Sequence, residues 1–150
     1  MNLEPLHELI KTFEGLRLKP YLCPAGVPTI GYGATRYPRG RAVSLQDKPI
    51  TEEEAENMLI FDAQRYAMEA IKLSPVLAHD DEKLCAIADF IYNLGATRYK
   101  ASTLRRRVND EDWHGACEQL SKWIWGGGKK LSGLVRRREA EIALILRGAK

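Results

Sequence analysis

Glu14 stands one residue before Gly15, at the end of a stretch in which Leu3, Leu6, Ile10 and Phe13 recur at helical spacing. A carboxyl group at a helix C-terminus faces the negative end of the helix dipole, and Ile10 one turn back brings an apolar neighbour. Both effects favour the protonated form, which is the form a general acid needs. A solvated glutamate at a helix end shows the same local pattern, so the position alone leaves both readings open. Three cysteines, Cys23, Cys85 and Cys117, are odd in number and far apart, and His7, His79 and His114 are scattered. That spacing supports neither a disulfide framework nor a zinc site, so reduced thiols and no metal or cofactor are expected. Gly31-x-Gly33 lacks the strand, glycine loop and helix context of a phosphate cradle.

Residues 1 to about 13 read as an amphipathic helix stopped by Gly15. From Lys19 to Leu45 the prolines and glycines forbid a helix, and Val27, Thr29, Ile30, Tyr32, Ala42 and Val43 favour short strands in a small twisted antiparallel sheet. Thr51 with Glu54 forms a capping box that opens a long helix, ended by Ser74-Pro75. The next helix starts at Asp80 or Asp81 and is apolar nearly all round through Leu94, with only Asp89 and Asn93 interrupting, the pattern of the buried centre of a bundle. Ser102 caps a short helix to about Val108, and Asp110 is expected to cap another through Ile124. Gly126-Gly127-Gly128 then breaks the chain before a last helix, Leu131 to Arg147. Trp113, Trp123 and Trp125 are read as core residues rather than sugar-stacking platforms, and Cys85 and Cys117 as inert packing residues. The layout is a mostly helical α+β fold: a small lobe with the sheet (about 15–50), an interlobe helix (about 51–73) and a helical lobe (about 80–150) carrying the first helix. A cleft between the lobes is the natural place for a site.

At 150 residues the chain fits one domain, and its 45% hydrophobic and 29% charged residues are ordinary for a globular protein. No apolar run reaches the roughly 18 residues of a membrane span, and the first residues carry no signal-peptide core. Residues 1–97 hold ten basic against fourteen acidic residues, while residues 98–150 hold thirteen against six. The basic third, with Arg105–Arg107, Lys129–Lys130 and Arg136–Arg138, suits a polyanion. Nucleic acid is one such partner, but no helix-turn-helix spacing accompanies the arginines. A wall polymer is the other, and Arg136 and Arg137 are expected to make attack on it salt-sensitive. Membrane disruption by the basic C-terminal helix is a further reading of the same charge.

The segment Glu14-Gly15-Leu16-Arg17-Leu18-Lys19-Pro20-Tyr21, then Cys23, Gly26 and Thr29-Ile30-Gly31-Tyr32-Gly33, resembles the phage-type lysozymes, the endolysins of glycoside hydrolase family 24. That family carries Glu, eight residues, Asp, five residues, Thr; Glu14, Cys23 and Thr29 hold the register here. Further along, Thr51 with Glu54-Ala55 resembles the start of the interlobe helix, Asp89 to Gly95 the buried helix, and Ser102-Thr103-Leu104 the next turn. Gly133 to Glu141 resembles the C-terminal signature.

The resemblance implies hydrolysis of the β-1,4 bond between N-acetylmuramic acid and N-acetylglucosamine in peptidoglycan. Glu14 would protonate the leaving oxygen, and Cys23 and Thr29 would hold a water on the opposite face of the sugar. Cys23 departs from the family's Asp, and a thiol is a poorer fixed anion than a carboxylate at neutral pH. Arg17 and Lys19 are close enough in sequence to favour its thiolate. A catalytically impaired peptidoglycan-binding protein is the alternative that this departure raises. Tyr92, Asn93 and Ser102 match places where the family lines its glycan cleft, and Gln119 stands near a position where relatives carry Asn. The histidine that often follows the Thr-Ile-Gly-x-Gly segment is Ala34. The expected protein is a monomer without metal, cofactor, nucleic acid or stable membrane insertion. It would accumulate in the host cytoplasm and depend on a holin to reach the periplasmic wall.

Overall fold

The computed structural model describes residues 1–147. Helix α1 (Glu4–Glu14) buries Leu6, Leu9 and Ile10 and ends where Gly15 takes a positive φ of 72°. Strands β1 (Arg17–Leu22) and β2 (Pro28–Gly31) then pair antiparallel, with Tyr21 opposite Thr29 and a bulge between Arg17 and Tyr21. The expected Ala42–Val43 strand is reduced to single bridges, Ile30 with Ala34 and Arg36 with Ala42. A clamp on Asp47 holds this glycine-rich stretch instead, its carboxylate accepting from the Ser44 N–H, the Tyr37 hydroxyl and Arg41.

Helix α2 (Glu52–Leu73) begins with the capping box: the Thr51 hydroxyl accepts from the Glu54 N–H at 3.0 Å, and the Glu54 carboxylate accepts from the Thr51 N–H at 3.1 Å. Its two sides serve two hydrophobic clusters. Met58 joins Ile30, Ala34 and Val43 around the hairpin, while Leu59, Ala63, Ala67 and Ala70 join the larger helical core. A 3-10 turn over Pro75–His79 leads into α3 (Asp81–Leu94), capped by Asp80. Nine of its residues are buried, and α1, α2 and α7 (Ser132–Arg147) all pack on it, so α3 is the axis of the fold. Between α3 and α7 lie α4 (Ala96–Lys100), α5 (Thr103–Asn109) and α6 (Trp113–Leu120).

The sequence reading errs in detail after residue 95. The sequence pattern gives no sign of the α4 turn. Glu111 adopts a φ of 55°, which separates Asp110 from the following helix, so Asp112 caps α6 and the helix stops at Leu120 rather than Ile124. The three glycines do not merely break the chain. Gly126 pairs with Lys129, and Gly127 and Gly128 form the turn of a second hairpin, β3 (Trp125–Gly126) with β4 (Lys129–Lys130), which carries Trp125 out to 62% exposure. Trp113 and Trp123 do pack against the core, Trp123 edge-on to Phe90. Cys85 is buried and burial pushes its thiol up to about 11; Cys117 is also pushed up.

Candidate active site

Glu14 is held by Arg137 and hemmed in by Gly33, and a third contact braces the chain beside it. The Arg137 guanidinium donates from Nη1 to Glu14 Oε2 at 2.7 Å. The same guanidinium grips Asp89 of α3 twice, from Nε at 2.9 Å and from Nη2 at 2.8 Å. The Asp89 side chain is wholly buried and that of Arg137 is 4% exposed, whereas Glu14 keeps 24% of its side chain open. Burial disfavours the Arg137 cation, but the carboxylates of Asp89 and Glu14 more than offset it, so the guanidinium is held firmly protonated. Gly33 passes so close that a Cβ there would stand 2.7 Å from Glu14 Oε1. Its φ of 81° also suits glycine. In the third contact the Tyr92 hydroxyl donates to the Tyr32 carbonyl at 2.5 Å, tying α3 to the chain just before Gly33. Burial, reinforced by the Glu14 and Asp62 carboxylates, pushes the Tyr92 phenol far up, so it stays a neutral donor. The apolar surroundings expected for Glu14 are thus replaced by a shared guanidinium; Ile10 turns into the core instead.

Cys23 and Thr29 meet across the mouth of the β1–β2 hairpin. The Cys23 N–H donates to the Val27 carbonyl at 3.1 Å and its carbonyl accepts from Gly26 at 2.8 Å, a tight turn that folds the thiol back over the loop. Hydrogen bonds from the backbone of Val27 and Ala25, with a smaller contribution from Thr29, pull the thiol below its ordinary range. Arg17 and Lys19, the neighbours the sequence suggested, are not among the groups that lower it. Thr29 is 2% exposed, and its hydroxyl donates to the Val27 carbonyl at 2.8 Å, which leaves its lone pairs as acceptors. Tyr21 lies opposite Thr29 in the sheet. Burial raises its phenol, and the charges of Glu14 and Cys23 both add to the rise while Arg17 opposes it.

The other anticipated residues scatter. Asn93 lines a groove of about 500 Å³ with Glu14, Ser132 and Arg136, and its Oδ1 accepts from Arg138 at 2.7 Å. Tyr92 stacks edge-on against Tyr66 and lines a separate, smaller cavity of about 120 Å³ with Asp62 and Ala34. Ser102 is a helix cap with both bonds internal, accepting from the Arg105 N–H and donating to the Tyr99 carbonyl. Gln119 is half-buried on α6 and lines neither space. Arg137 is misread by sequence. It is not a surface charge for polymer attraction, and neither is Arg138 at 1% exposure; only Arg136 of that run faces solvent. The signal that points to Arg137 is Asp89, the one buried acid of α3, which must find a cation.

The model of the family described as phage lysozyme matches residues 11–141 of the chain. The chain belongs to the phage lysozyme family. An SAR-endolysin of Bacteriophage PS34 is 38% identical over 137 residues, which are 90% of this chain and 77% of that one. The solved endolysin from Escherichia coli O157:H7 phage FAHEc1 superposes with a TM-score of 0.81 at 32% identity, covering 97% of this chain and 94% of its own. The muramidase domain of SpmX from Asticaccaulis excentricus superposes with a TM-score of 0.77 at 29% identity, covering 95% of each chain. This phage lysozyme is therefore a lysozyme-type glycoside hydrolase of mostly helical fold with a short antiparallel sheet. No described helix is long and apolar enough to cross a membrane.

Proposed function

We propose that this phage lysozyme is an endolysin that hydrolyses the β-1,4 bond between N-acetylmuramic acid and N-acetylglucosamine of peptidoglycan, with Glu14 as the general acid. The observation that carries the reading is the grip on Glu14: a carboxyl group fixed by Arg137 and Gly33, yet open to a groove. Glu14 gives its proton to the glycosidic oxygen as the bond to the sugar carbon breaks. Cys23, as thiolate, accepts a proton from a water on the other face, and the Thr29 oxygen orients that water as it attacks the same carbon. The lowered thiol supports this base role. Proton return from Cys23 to Glu14 through solvent resets the site.

Asn93 shapes the wall of the groove beside Glu14 and Tyr92 that of the neighbouring cavity, while Ser102 and Gln119 line neither. The molecule works as one domain of two lobes, residues about 15–50 and about 80–150, joined by the helix over about 51–73. It acts as a monomer, and it waits in the host cytoplasm for a holin to open the way to the wall. The solved muramidase domain of like fold supports the bond assignment.

The Cys23 role separates turnover from mere wall binding. Cys23→Asp is expected to remain active, and thiol alkylation to block the wild type while sparing Cys23→Asp. A carboxylate ionises roughly 4–5 pH units below an ordinary thiol, so the acidic limb of the pH–rate profile moves to lower pH in Cys23→Asp. Borohydride reduction of the digest is expected to label muramic acid as the new reducing end. Labelled glucosamine refutes the bond assignment. A covalent sugar adduct on Cys23 by mass spectrometry refutes the water-holding role, and wall binding with no new reducing ends favours the impaired binder.

A further inference from the structure

Behind Arg137 lies a second buried arginine–glutamate contact that the catalytic reading does not use. Arg138, the next residue of α7, and Glu141, one turn on, are 1% and 0% exposed. Arg138 Nε lies 2.8 Å from Glu141 Oε1, and Arg138 Nη2 donates to Glu141 Oε2 at 3.1 Å and to Asn93 Oδ1 at 2.7 Å. The 2.8 Å approach is out of line for a hydrogen bond, so Arg138 Nε, Arg138 Nη1 and Glu141 Oε1 lack a hydrogen-bond partner among the described residues. Buried polar atoms left unpaired are costly and call for a reason. Two guanidiniums on consecutive residues therefore face three carboxyl groups: Glu14 from α1, Asp89 from α3 and Glu141 from α7 itself. Asp89 is the contested member, because the charges of Arg137 and Arg138 both act within its reach.

We propose that Glu141 is a positioning residue for the reaction: it occupies Arg138, so that Asp89 stays committed to Arg137 and Arg137 stays aimed at Glu14. The inference rests on Glu14 being the acid. Burial, and after it the neighbouring Asp89, raises the Glu141 carboxyl well above the usual range, which favours its protonated form. In that form it has one proton for Asp89 and a carbonyl for Arg138. It can hold both without adding a third anion to the cluster. Without it, Arg138 has a buried charge and only Asp89 as a nearby carboxylate. Its turn toward Asp89 loosens the bidentate grip on Arg137 and moves the Glu14 carboxyl. A misplacement of about 1 Å at a reacting group can cost on the order of 10²-fold in rate.

The test is kinetic and uses the whole chain on soluble peptidoglycan oligomers. Glu141→Leu is expected to lower kcat about tenfold with KM within about twofold of wild type, because the substrate contacts are untouched. Adding Arg138→Met removes the competing cation, and the double variant is expected to recover kcat to within about threefold of wild type. Glu141→Gln keeps a carbonyl for Arg138 and an N–H for Asp89, and is expected to stay within the same threefold. A merely structural role moves stability but gives neither the kcat-only loss nor its reversal by a second deletion. If Glu141→Leu does not fold, Glu141→Asp carries the test: one methylene shorter, it releases Arg138, and the same kcat loss and the same rescue are expected. Wild-type kcat in the folded variant, or a loss that Arg138→Met does not relieve, overturns the proposal. Failure of the acid assignment itself shows separately, as turnover by Glu14→Gln.

Discussion

Glu14→Gln is expected to melt close to the wild type and to lose at least about 10²–10⁴-fold in turnover, the range of general acid catalysis. The amide fills the same space beneath Gly33, and its carbonyl oxygen can still accept from Arg137 Nη1, so the cluster around Asp89 survives. What it cannot do is protonate the leaving oxygen. Release of reducing sugar from purified walls by the purified variant checks this directly. Turnover near the wild-type rate, in a protein that melts normally, removes Glu14 from the mechanism.

Arg137→Met is expected to be the most damaging single change outside the hairpin. It leaves Asp89 wholly buried without the two hydrogen bonds that now hold it. Breaking a buried pair from one side costs about 3–5 kcal/mol. For a chain of this size that lowers Tm by roughly 6–20 °C. Pairing it with Asp89→Leu removes the orphaned charge, and most of the lost stability is expected to return. Turnover is not expected to return with it, since Glu14 still lacks its guanidinium. Calorimetry and wall digestion on the two variants separate these effects. A double variant with wild-type kcat shows that Arg137 serves stability alone.

Local chemistry made much of this molecule legible in its sequence. The Thr51–Glu54 box, the glycine after Glu14 and the largely apolar helix over residues 81–94 each specify their element through contacts within one or two turns. The sequence marks the region of the small sheet but overstates its length, because residues 35–50 are held by the Asp47 clamp rather than by a strand ladder. Trp125 was misplaced for a related reason: a two-residue hairpin lacks enough residues to show a period. The site divides the same way. Cys23 and Thr29 are six residues apart on one hairpin and readable from spacing. The grip on Glu14 comes from residue 137, 123 positions away, and passes through Asp89. Nothing in the run Arg136-Arg137-Arg138 says which arginine faces inward until the buried face of α7 is known, and there Arg137, Arg138, Glu141, Leu144 and Ile145 line up at helical spacing.

Direct attack by a water held opposite Glu14 inverts the sugar carbon, whereas a covalent route through the thiol restores its configuration. Proton NMR of a soluble peptidoglycan oligomer, recorded within the first minutes of digestion and before mutarotation, reads that outcome at the new reducing end. Cleavage of the β-linked substrate is expected to yield the α-anomer first, with the β-anomer growing in only as the sugar equilibrates. First formation of the β-anomer contradicts the assignment of Glu14 as acid with Cys23 and Thr29 as holders of the attacking water.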